Sequence, residues 1–288
     1  MQQVRLPQGT IRYRELGSGE PIVLVHGLLT DGELWRDVAP RLAADFRVFA
    51  PDWPLGSHRT PLDPGADHSP LGLARIIADF LRELDLDGVT LVGNDTGGGL
   101  CQLVAVNHPE RLARLVLTPC DAYENFPPPA FRPLQALARI PGSMLALAQL
   151  LRIPAARRLP LAYGWVTKRA DDALTGSWIA PARSSEAIRR ELASILTGMS
   201  DRYTLEAAER FGEFTKPVLI AWAPEDHFFK LPYAHRLAGA FANSRLELID
   251  DSYTFVPIDQ PQRTAELIAA FAREPLGAPL AEHESRPS

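Results

Sequence analysis

Continuous apolar runs alternate with amphipathic segments along the first 120 residues of the chain. The run IVLV at residues 22–25 illustrates the first kind, and it stops at His26-Gly27. Residues 71–84 illustrate the second kind, because their apolar side chains recur at helical spacing along one stripe. Buried strands that alternate with amphipathic helices are typical of a parallel sheet covered on both faces. The pattern therefore predicts an α/β fold with a mostly parallel, doubly covered sheet.

The same periodicity predicts the individual elements. Strands are predicted at residues 10–14, 21–25, 47–50, 89–92, 115–118, 218–222 and 245–249. Helices are predicted at residues 31–42, 71–84, 96–108, 134–139, 185–197, 232–241 and 261–271.

The alternation is interrupted in the middle of the chain. After residue 120 the sequence enters a proline-rich stretch at 126–129, and its patterns are then helical until the strand predicted at 218–222. We interpret the chain as an α/β core (1–120 and 215–273), a helical insertion acting as a cap (121–214) and a flexible, proline-rich tail (274–288).

Composition and charge exclude several classes of protein. The 288 residues are 46% hydrophobic, which is typical of a globular protein. The 30 basic residues against 35 acidic ones give a formal net charge of −5, which argues against nucleic acid or an anionic membrane as a partner. The N-terminal residues carry no export signal and no stretch approaches the length of a membrane helix, so we expect a cytoplasmic protein. The oligomeric state stays open.

The sequence gives little support for a metal site or a bound cofactor. Cys101 and Cys120 lie 19 residues apart without a CxxC pattern, which favours two buried reduced thiols over a disulfide or a metal pair. The sequence implies no metal, nucleotide or organic cofactor.

The most informative motif is GNDTGGG at residues 93–99, between a predicted strand and a predicted helix. It places Asp95 at the centre of a Gly-x-nucleophile-x-Gly turn, where the strained backbone requires small neighbours such as Gly93 and Gly97. Gly98 allows the helix to approach the sheet. The free N–H groups at the helix start are expected to keep Asp95 ionised at neutral pH. An ionised, fixed carboxylate is a competent nucleophile toward an electrophilic carbon.

Over residues 10–273 the chain resembles proteins of the α/β-hydrolase fold. It is most similar to the branch of haloalkane dehalogenases, haloacetate dehalogenases and epoxide hydrolases, whose nucleophile is Asp. The resemblance is carried by His26-Gly27, Asp95 in its turn, the helical insertion and the stretch FVPIDQP at residues 255–261. It implies an oxyanion hole formed by the N–H groups of Leu28 and Thr96.

The resemblance leaves the acid of a catalytic triad open between two residues. Asp226 follows the strand predicted at 218–222, where the family most often carries its acid, and Asp121 follows the strand predicted at 115–118. Either aspartate also has a structural interpretation as the cap of the next helix.

The sequence departs from the family at the catalytic base. Thr254 occupies the position where the family carries a His, and a Thr hydroxyl has too high a pKa to activate water. His227, beside Asp226, is the nearest replacement on a loop expected to reach the same rim, although a lone loop His is more often a surface residue. His58 is a weaker candidate for the same role.

Substrate contacts are expected from aromatic and polar residues of the core loops and the insertion. Epoxide hydrolases use insertion tyrosines to protonate the opening ring, and Trp165 and Trp178 fit packing first and pocket lining second. The candidates for substrate contact are His26, Trp53, Tyr123, Tyr163 and Trp165, and Tyr203 is a further tyrosine of the insertion.

Three functions are compatible with these residues. The first is a hydrolase that uses Asp95 on a small or medium apolar epoxide, ester-like or halogenated compound, with turnover in doubt because of Thr254. The second is a lyase, isomerase or cyclase that uses Asp95 as a general base. The third is a degenerate member that binds a hydrophobic ligand without turning it over.

Overall fold

The computed structural model describes residues 1–276 of the chain and shows one eight-stranded sheet. Its strands are β1 (Gln2–Leu6), β2 (Gly9–Leu16), β3 (Pro21–Val25), β4 (Arg47–Pro51), β5 (Val89–Asp95), β6 (Leu112–Cys120), β7 (Val218–Trp222) and β8 (Ser244–Leu248). They are ordered β1-β2-β4-β3-β5-β6-β7-β8. β1 and β2 pair antiparallel, and β3 to β8 run parallel. The predicted α/β class with a mostly parallel sheet is confirmed.

Twelve α-helices flank the sheet or form the insertion within the described residues. They are α1 (Ala39–Leu42), α2 (Pro70–Glu83), α3 (Thr96–Asn107), α4 (Arg132–Ala138), α5 (Ser143–Leu150), α6 (Pro154–Arg157), α7 (Asp172–Ser184), α8 (Glu186–Gly198), α9 (Asp201–Ala208), α10 (Leu231–Ala240), α11 (Val256–Asp259) and α12 (Pro261–Arg273). Helices α4 to α9 lie between β6 and β7, within the insertion inferred from the sequence.

The structure differs from the sequence-based expectation at two places. The helix predicted at residues 31–42 is a 3-10 turn at Gly32–Trp35 followed by the short helix α1, because Pro40 lacks the N–H group that a continuous helix requires. Strand β1 was not predicted. It pairs with β2 alone and is largely exposed, so its sequence QQVRL carries little of the apolar signal that marks the central strands.

The core is built around the central strands. Strands β5 and β6 are buried along almost their whole length, because α3 covers them on one side. Cys101 on α3 and Cys120 on β6 are both buried and free, and burial raises the pKa of each thiol. Every helix within residues 1–276 is too short or too polar to cross a lipid bilayer.

A buried polar contact ties the insertion to the core. Glu191 of α8 accepts a hydrogen bond of 2.7 Å from Nε2 of His58 and one of 2.9 Å from the Leu62 N–H. Nδ1 of His58 accepts a hydrogen bond from the Gly56 N–H. His58 is thereby engaged at both ring nitrogens and lies outside the cavity described below, which removes it from the candidates for a catalytic base.

Candidate active site

The turn from β5 into α3 holds Asp95 in a strained conformation. Its φ of 54° and ψ of −132° are unusual for a non-glycine residue. Glycines surround it because larger residues would collide: a Cβ on Gly97 would lie 2.3 Å from the His26 carbonyl oxygen. A Cβ on Gly98 would lie 2.3 Å from Cβ of Cys120. The strain is therefore held in place by the close packing of the helix start against the sheet.

Two backbone N–H groups hold one side of the Asp95 carboxylate. The Leu28 N–H donates to Oδ2 at 3.1 Å, and the Thr96 N–H also donates to the carboxylate. These are the two N–H groups that the family resemblance implies for an oxyanion hole. Burial raises the pKa of Asp95 to about 7, and the two N–H groups oppose that rise. The helix-start N–H groups therefore favour ionised Asp95 as expected, but desolvation outweighs them and places its pKa near neutral pH.

Asp121 lies beside Asp95 at the end of the neighbouring strand. The strand register pairs Asp95 with Cys120, the residue before Asp121, and both aspartate side chains line one cavity. Asp121 is 1% exposed, and its Oδ1 has no hydrogen-bond partner within residues 1–276. Burial raises the pKa of Asp121 well above its ordinary value, and the charge of Asp95 raises it further. Both pKa shifts favour the protonated form, so the pair is suited to sharing a proton.

Asp226 and Thr254 form a separate buried pair. The Thr254 hydroxyl donates a hydrogen bond of 2.8 Å to Oδ2 of Asp226, whose Oδ1 accepts hydrogen bonds from two backbone N–H groups at 2.7 Å. Burial raises the pKa of Asp226 to about 6. Both side chains lie outside the cavity lining.

Two amides hold the loops of the site and were not singled out from the sequence. Asn94 donates through Nδ2 to the Thr254 carbonyl at 2.7 Å, which fastens that loop to the strained turn. Gln102 donates to the Asp121 carbonyl at 2.8 Å. Asn94 lies within the GNDTGGG motif, so the sequence could have indicated it as a residue of the site, whereas Gln102 is recognisable only from the structure.

The cavity has a volume of about 470 Å³ and lies between the carboxyl ends of the strands and the helical insertion. Its lining is mainly Leu, Pro, Phe and Ala side chains. Tyr163 lines it but donates its hydroxyl to the Leu29 carbonyl at 2.7 Å. Gln135 lines it but donates its amide to two backbone carbonyls of the insertion. Within residues 1–276, Asp95 and Asp121 are the two carboxyl groups of this lining.

Several residues predicted to contact substrate or replace the base lie elsewhere. His227 stacks on Trp165 at 4.8 Å between ring centroids, and both lie outside the cavity lining. His26 accepts a hydrogen bond from the Trp53 N–H, and both residues are buried in the core. Tyr123 is buried beneath Arg236. His26, Trp53 and His227 follow strand ends in the sequence, but proximity to a strand end does not fix the direction of a side chain.

The remaining insertion residues also have structural positions. Trp178 is fully buried and donates its indole N–H to Asp31 at 3.0 Å. Tyr203 is buried on α9 and accepts a hydrogen bond from Arg202. Of the five predicted substrate contacts, Tyr163 lines the cavity. Within residues 1–276, no group of three or more His, Cys, Asp or Glu residues could hold a metal ion.

Comparison with known proteins places these features in context. Residues 20–261 match the family model described as alpha/beta hydrolase fold. The chain is 29% identical over 270 residues to haloalkane dehalogenase 2 of Mycobacterium tuberculosis, covering 91% of each chain. It is 23% identical over 272 residues to 2-hydroxy-6-oxo-6-phenylhexa-2,4-dienoate hydrolase of Comamonas testosteroni, covering 92% of this chain and 91% of that one. The structure is similar to an alpha/beta hydrolase fold protein of Burkholderia ambifaria, with a TM-score of 0.79, 24% identity and coverage of 93% and 97%.

Proposed function

Because the chain belongs to the alpha/beta hydrolase fold family, we propose that it opens and hydrolyses an apolar epoxide, with Asp95 as the nucleophile and Asp121 as the proton donor and acceptor. One observation carries this proposal: within residues 1–276, Asp95 and Asp121 are the carboxyl groups of a cavity that is otherwise mainly apolar. Burial raises the pKa of both groups. A proton shared by the pair leaves one carboxyl group ionised and the other protonated.

The first step is attack on a ring carbon. The Leu28 N–H holds Oδ2 of Asp95 and the Thr96 N–H donates to the same carboxylate, and we assign the attack to Oδ1. The new bond joins Oδ1 to the ring carbon while the carbon–oxygen bond of the epoxide breaks. Asp121 donates its proton to the ring oxygen, which becomes a hydroxyl group. The step ends with a hydroxyalkyl ester on Asp95 and an ionised Asp121.

The second step is hydrolysis of that ester. Esterification removes the negative charge of Asp95, and the ionised Asp121 then accepts a proton from water. The water oxygen attacks the ester carbonyl, and the developing oxyanion lies where the Leu28 and Thr96 N–H groups already point. The bond between the carbonyl carbon and the alkyl oxygen then breaks, and that oxygen takes the proton of the hydroxyl group that water added. The diol leaves, Asp95 is again a carboxylate, and Asp121 holds the other proton of the water. This cycle requires no His in the cavity.

An epoxide fits the cavity better than a halogenated compound. The oxygen of an opening epoxide needs a proton, which a protonated Asp121 supplies, whereas a leaving halide needs N–H donors. Within residues 1–276 no tryptophan lines the cavity, and the indole N–H groups of Trp53, Trp178 and Trp222 donate to Leu24, Asp31 and Phe229. The apolar lining and the volume of about 470 Å³ favour a medium-sized apolar substrate.

Single-turnover reactions in ¹⁸O-labelled water test the proposal. Incubation of excess protein with aryl and alkyl epoxides is expected to give an unlabelled diol, because its new oxygen comes from Asp95, and the peptide containing Asp95 gains ¹⁸O. A diol that carries ¹⁸O after one turnover, with no label in that peptide, contradicts nucleophilic attack by Asp95. Asp95→Asn serves as the control and is expected to form neither product nor adduct.

A primary alkyl bromide tests the role of Asp121 separately. Bromide leaves without a proton, so Asp121→Asn is expected to allow attack and to stall at the ester. In the unsubstituted protein, esterification removes the negative charge that held the Asp121 proton, so Asp121 releases that proton to solvent, accepts one from water and allows the alcohol to leave. Intact mass and peptide mapping should then find the alkyl group on Asp95 in the Asp121→Asn variant alone. Equal release by both proteins excludes Asp121 as the base.

A second candidate is a lyase or isomerase in which Asp95 removes a proton from the substrate. The raised pKa of about 7 favours it, because a base with a pKa near the working pH transfers protons efficiently. It predicts a product without added water and no alkyl group or ¹⁸O on Asp95 in the two experiments above.

A further inference from the structure

The helical insertion exposes an unusual concentration of large apolar side chains. Seven of the eleven that are exposed within residues 1–276 fall in the stretch 140–165. They are Ile140, Leu145, Leu150, Ile153, Leu159, Leu161 and Trp165, with exposed fractions between 38% and 59%. Single exposed apolar residues are ordinary, whereas a concentration of this kind marks an interaction surface.

Helix α5 shows why this exposure is not incidental. Its sequence SMLALAQL carries no charge on any side. Met144 and Ala148 are buried against the insertion and Leu147 lines the cavity, whereas Leu145 and Leu150 point to solvent. A helix that is apolar all round is usually buried on both sides. The outer side of α5 is therefore exposed to solvent although its sequence is typical of a helix that packs against apolar groups on both sides.

The segment that carries these residues is basic, and part of its charge is unpaired. Residues 125–170 contain seven basic residues and no Asp or Glu, so their formal charge is +7 in a chain whose total is −5. Arg158, Lys168 and Arg169 form ion pairs with Asp172, Glu225 and Asp251 outside the segment, and Arg157 is buried. The guanidinium groups of Arg132, Arg139 and Arg152 are exposed and make no ion pair or hydrogen bond with residues 1–276. The expectation of no membrane partner rests on the net charge of the whole chain. That net charge combines the +7 of this segment with −12 from the remaining residues.

We propose that this apolar and basic face, residues 139–165, docks on the surface of an anionic phospholipid bilayer. Apolar side chains enter the boundary between headgroups and acyl chains, and arginines beside them contact lipid phosphates. Trp165 is 41% exposed and suits the interfacial position that indole rings favour. The protein would then lie on the membrane without crossing it.

Charge favours a bilayer over a second copy of the same face. A symmetric dimer through residues 139–165 would bring two positive segments together, which costs free energy unless counter-charges intervene. An anionic bilayer instead supplies negative charge and an apolar layer in the same place. The acidic residues that form ion pairs with the segment 125–170 are Asp172, Glu225 and Asp251, and none of them pairs with Arg132, Arg139 or Arg152.

The position of the face relative to the cavity gives the docking a consequence. Leu147 and Leu151 line the cavity from the inner side of the segment whose outer side exposes Leu145 and Leu150. Leu161 belongs to both, because it lines the cavity and is 59% exposed. An apolar compound dissolved in the bilayer would therefore meet the cavity from the docked side.

Vesicle sedimentation of the full chain tests the proposal. Vesicles of phosphatidylcholine with about 30% phosphatidylserine are expected to sediment the protein, and vesicles of phosphatidylcholine alone are expected to bind it at least about tenfold more weakly. The double variant Leu150→Glu/Ile153→Glu should lose binding at least about tenfold, and Arg139→Glu and Arg152→Glu should each lose about fivefold or more. Leu205→Glu and Arg190→Glu are matched controls, because both residues are exposed outside residues 139–165.

Tryptophan fluorescence gives an independent measurement. Trp165 is exposed, whereas the other four tryptophans are at most 1% exposed. Brominated lipid acyl chains should quench an emission component that Trp165→Phe removes. Protein that stays in the supernatant with both vesicle compositions overturns the proposal. Binding that is insensitive to phosphatidylserine also overturns it, and so does self-association abolished by Leu150→Glu/Ile153→Glu without any vesicle binding.

Discussion

The hydroxyl group of Thr254 donates a 2.8 Å hydrogen bond to the carboxyl group of Asp226, and both residues lie outside the cavity that contains Asp95. Thr254 is fully buried and Asp226 is 1% exposed. This pair therefore holds the loop before α11 against the end of β7, and Asn94 ties the same loop to the strained turn. Its contribution is to the stability and position of the site, while the reacting groups proposed above are Asp95 and Asp121.

Thr254→Val is expected to separate stability from chemistry. Loss of the hydroxyl removes a hydrogen bond from a buried carboxylate, which should lower the free energy of unfolding by about 1–3 kcal/mol at pH 8. The loss should be smaller at pH 5, below the Asp226 pKa of about 6, where the carboxyl group is mostly protonated. Turnover below the melting temperature should change less than about threefold. Urea unfolding at both pH values checks the first expectation, and a collapse of turnover in a folded variant contradicts the second.

Asp95→Asn is expected to reduce turnover at least about 10³-fold and to stabilise the protein at alkaline pH. Folding raises the pKa of Asp95 to about 7. Below about pH 4 the side chain is protonated in both the folded and the unfolded protein, and as the pH rises through 7 its buried charge destabilises the folded protein. The variant should thus gain roughly 2–4 kcal/mol at pH 8 and little at pH 4. Thermal unfolding over this range checks the sign, with the exposed Asp87→Asn as the control.

The pH dependence of epoxide turnover is expected to be bell-shaped. Activity should rise as Asp95 ionises through about pH 7 and fall at higher pH, where Asp121 loses the proton that the ring oxygen needs. Attack on an alkyl bromide should rise through the same lower pKa and then stay level, because bromide leaves without a proton. A descending limb with both substrates would point to some other group.

Gly98→Ala and Gly239→Ala are expected to act in opposite directions. The new Cβ of Gly98→Ala would lie 2.3 Å from Cβ of Cys120, so α3 must move from the sheet at a cost of about 1–3 kcal/mol. Gly239 lies in α10 with open space around the corresponding position, so Ala should stabilise the protein by about 0.5–1 kcal/mol. Denaturant unfolding of both variants measures the difference.

Glu191→Ala is expected to loosen the insertion. It leaves the buried His58 Nε2 and the Leu62 N–H without their acceptor, which should cost about 2–4 kcal/mol. Glu186→Ala removes an exposed ion pair with Arg190 on the same helix and should cost at most about 0.5 kcal/mol. Limited proteolysis should find faster cleavage within residues 121–214 for Glu191→Ala alone. Equal protection of both variants would mean that the His58–Glu191 contact does not hold the insertion.

The sequence by itself determined the features that depend on neighbours along the chain. Strand β7 has the predicted bounds of 218–222, because a continuous apolar run marks a buried strand wherever it lies. The glycines at positions 93, 97 and 98 indicated a tight turn with Asp95 at its centre, because their lack of a Cβ is a local property.

Tertiary structure decided which of the predicted residues meet. Asp121 lines the cavity, whereas the half-buried His227 packs between Trp165 and Tyr253 outside it, although both residues follow parallel strands. The raised pKa of Asp95 likewise follows from burial by distant segments, which outweighs the two nearby N–H groups. Periodicity reports which face of an element is apolar, whereas the partner of that face is set by contacts between residues far apart in the chain.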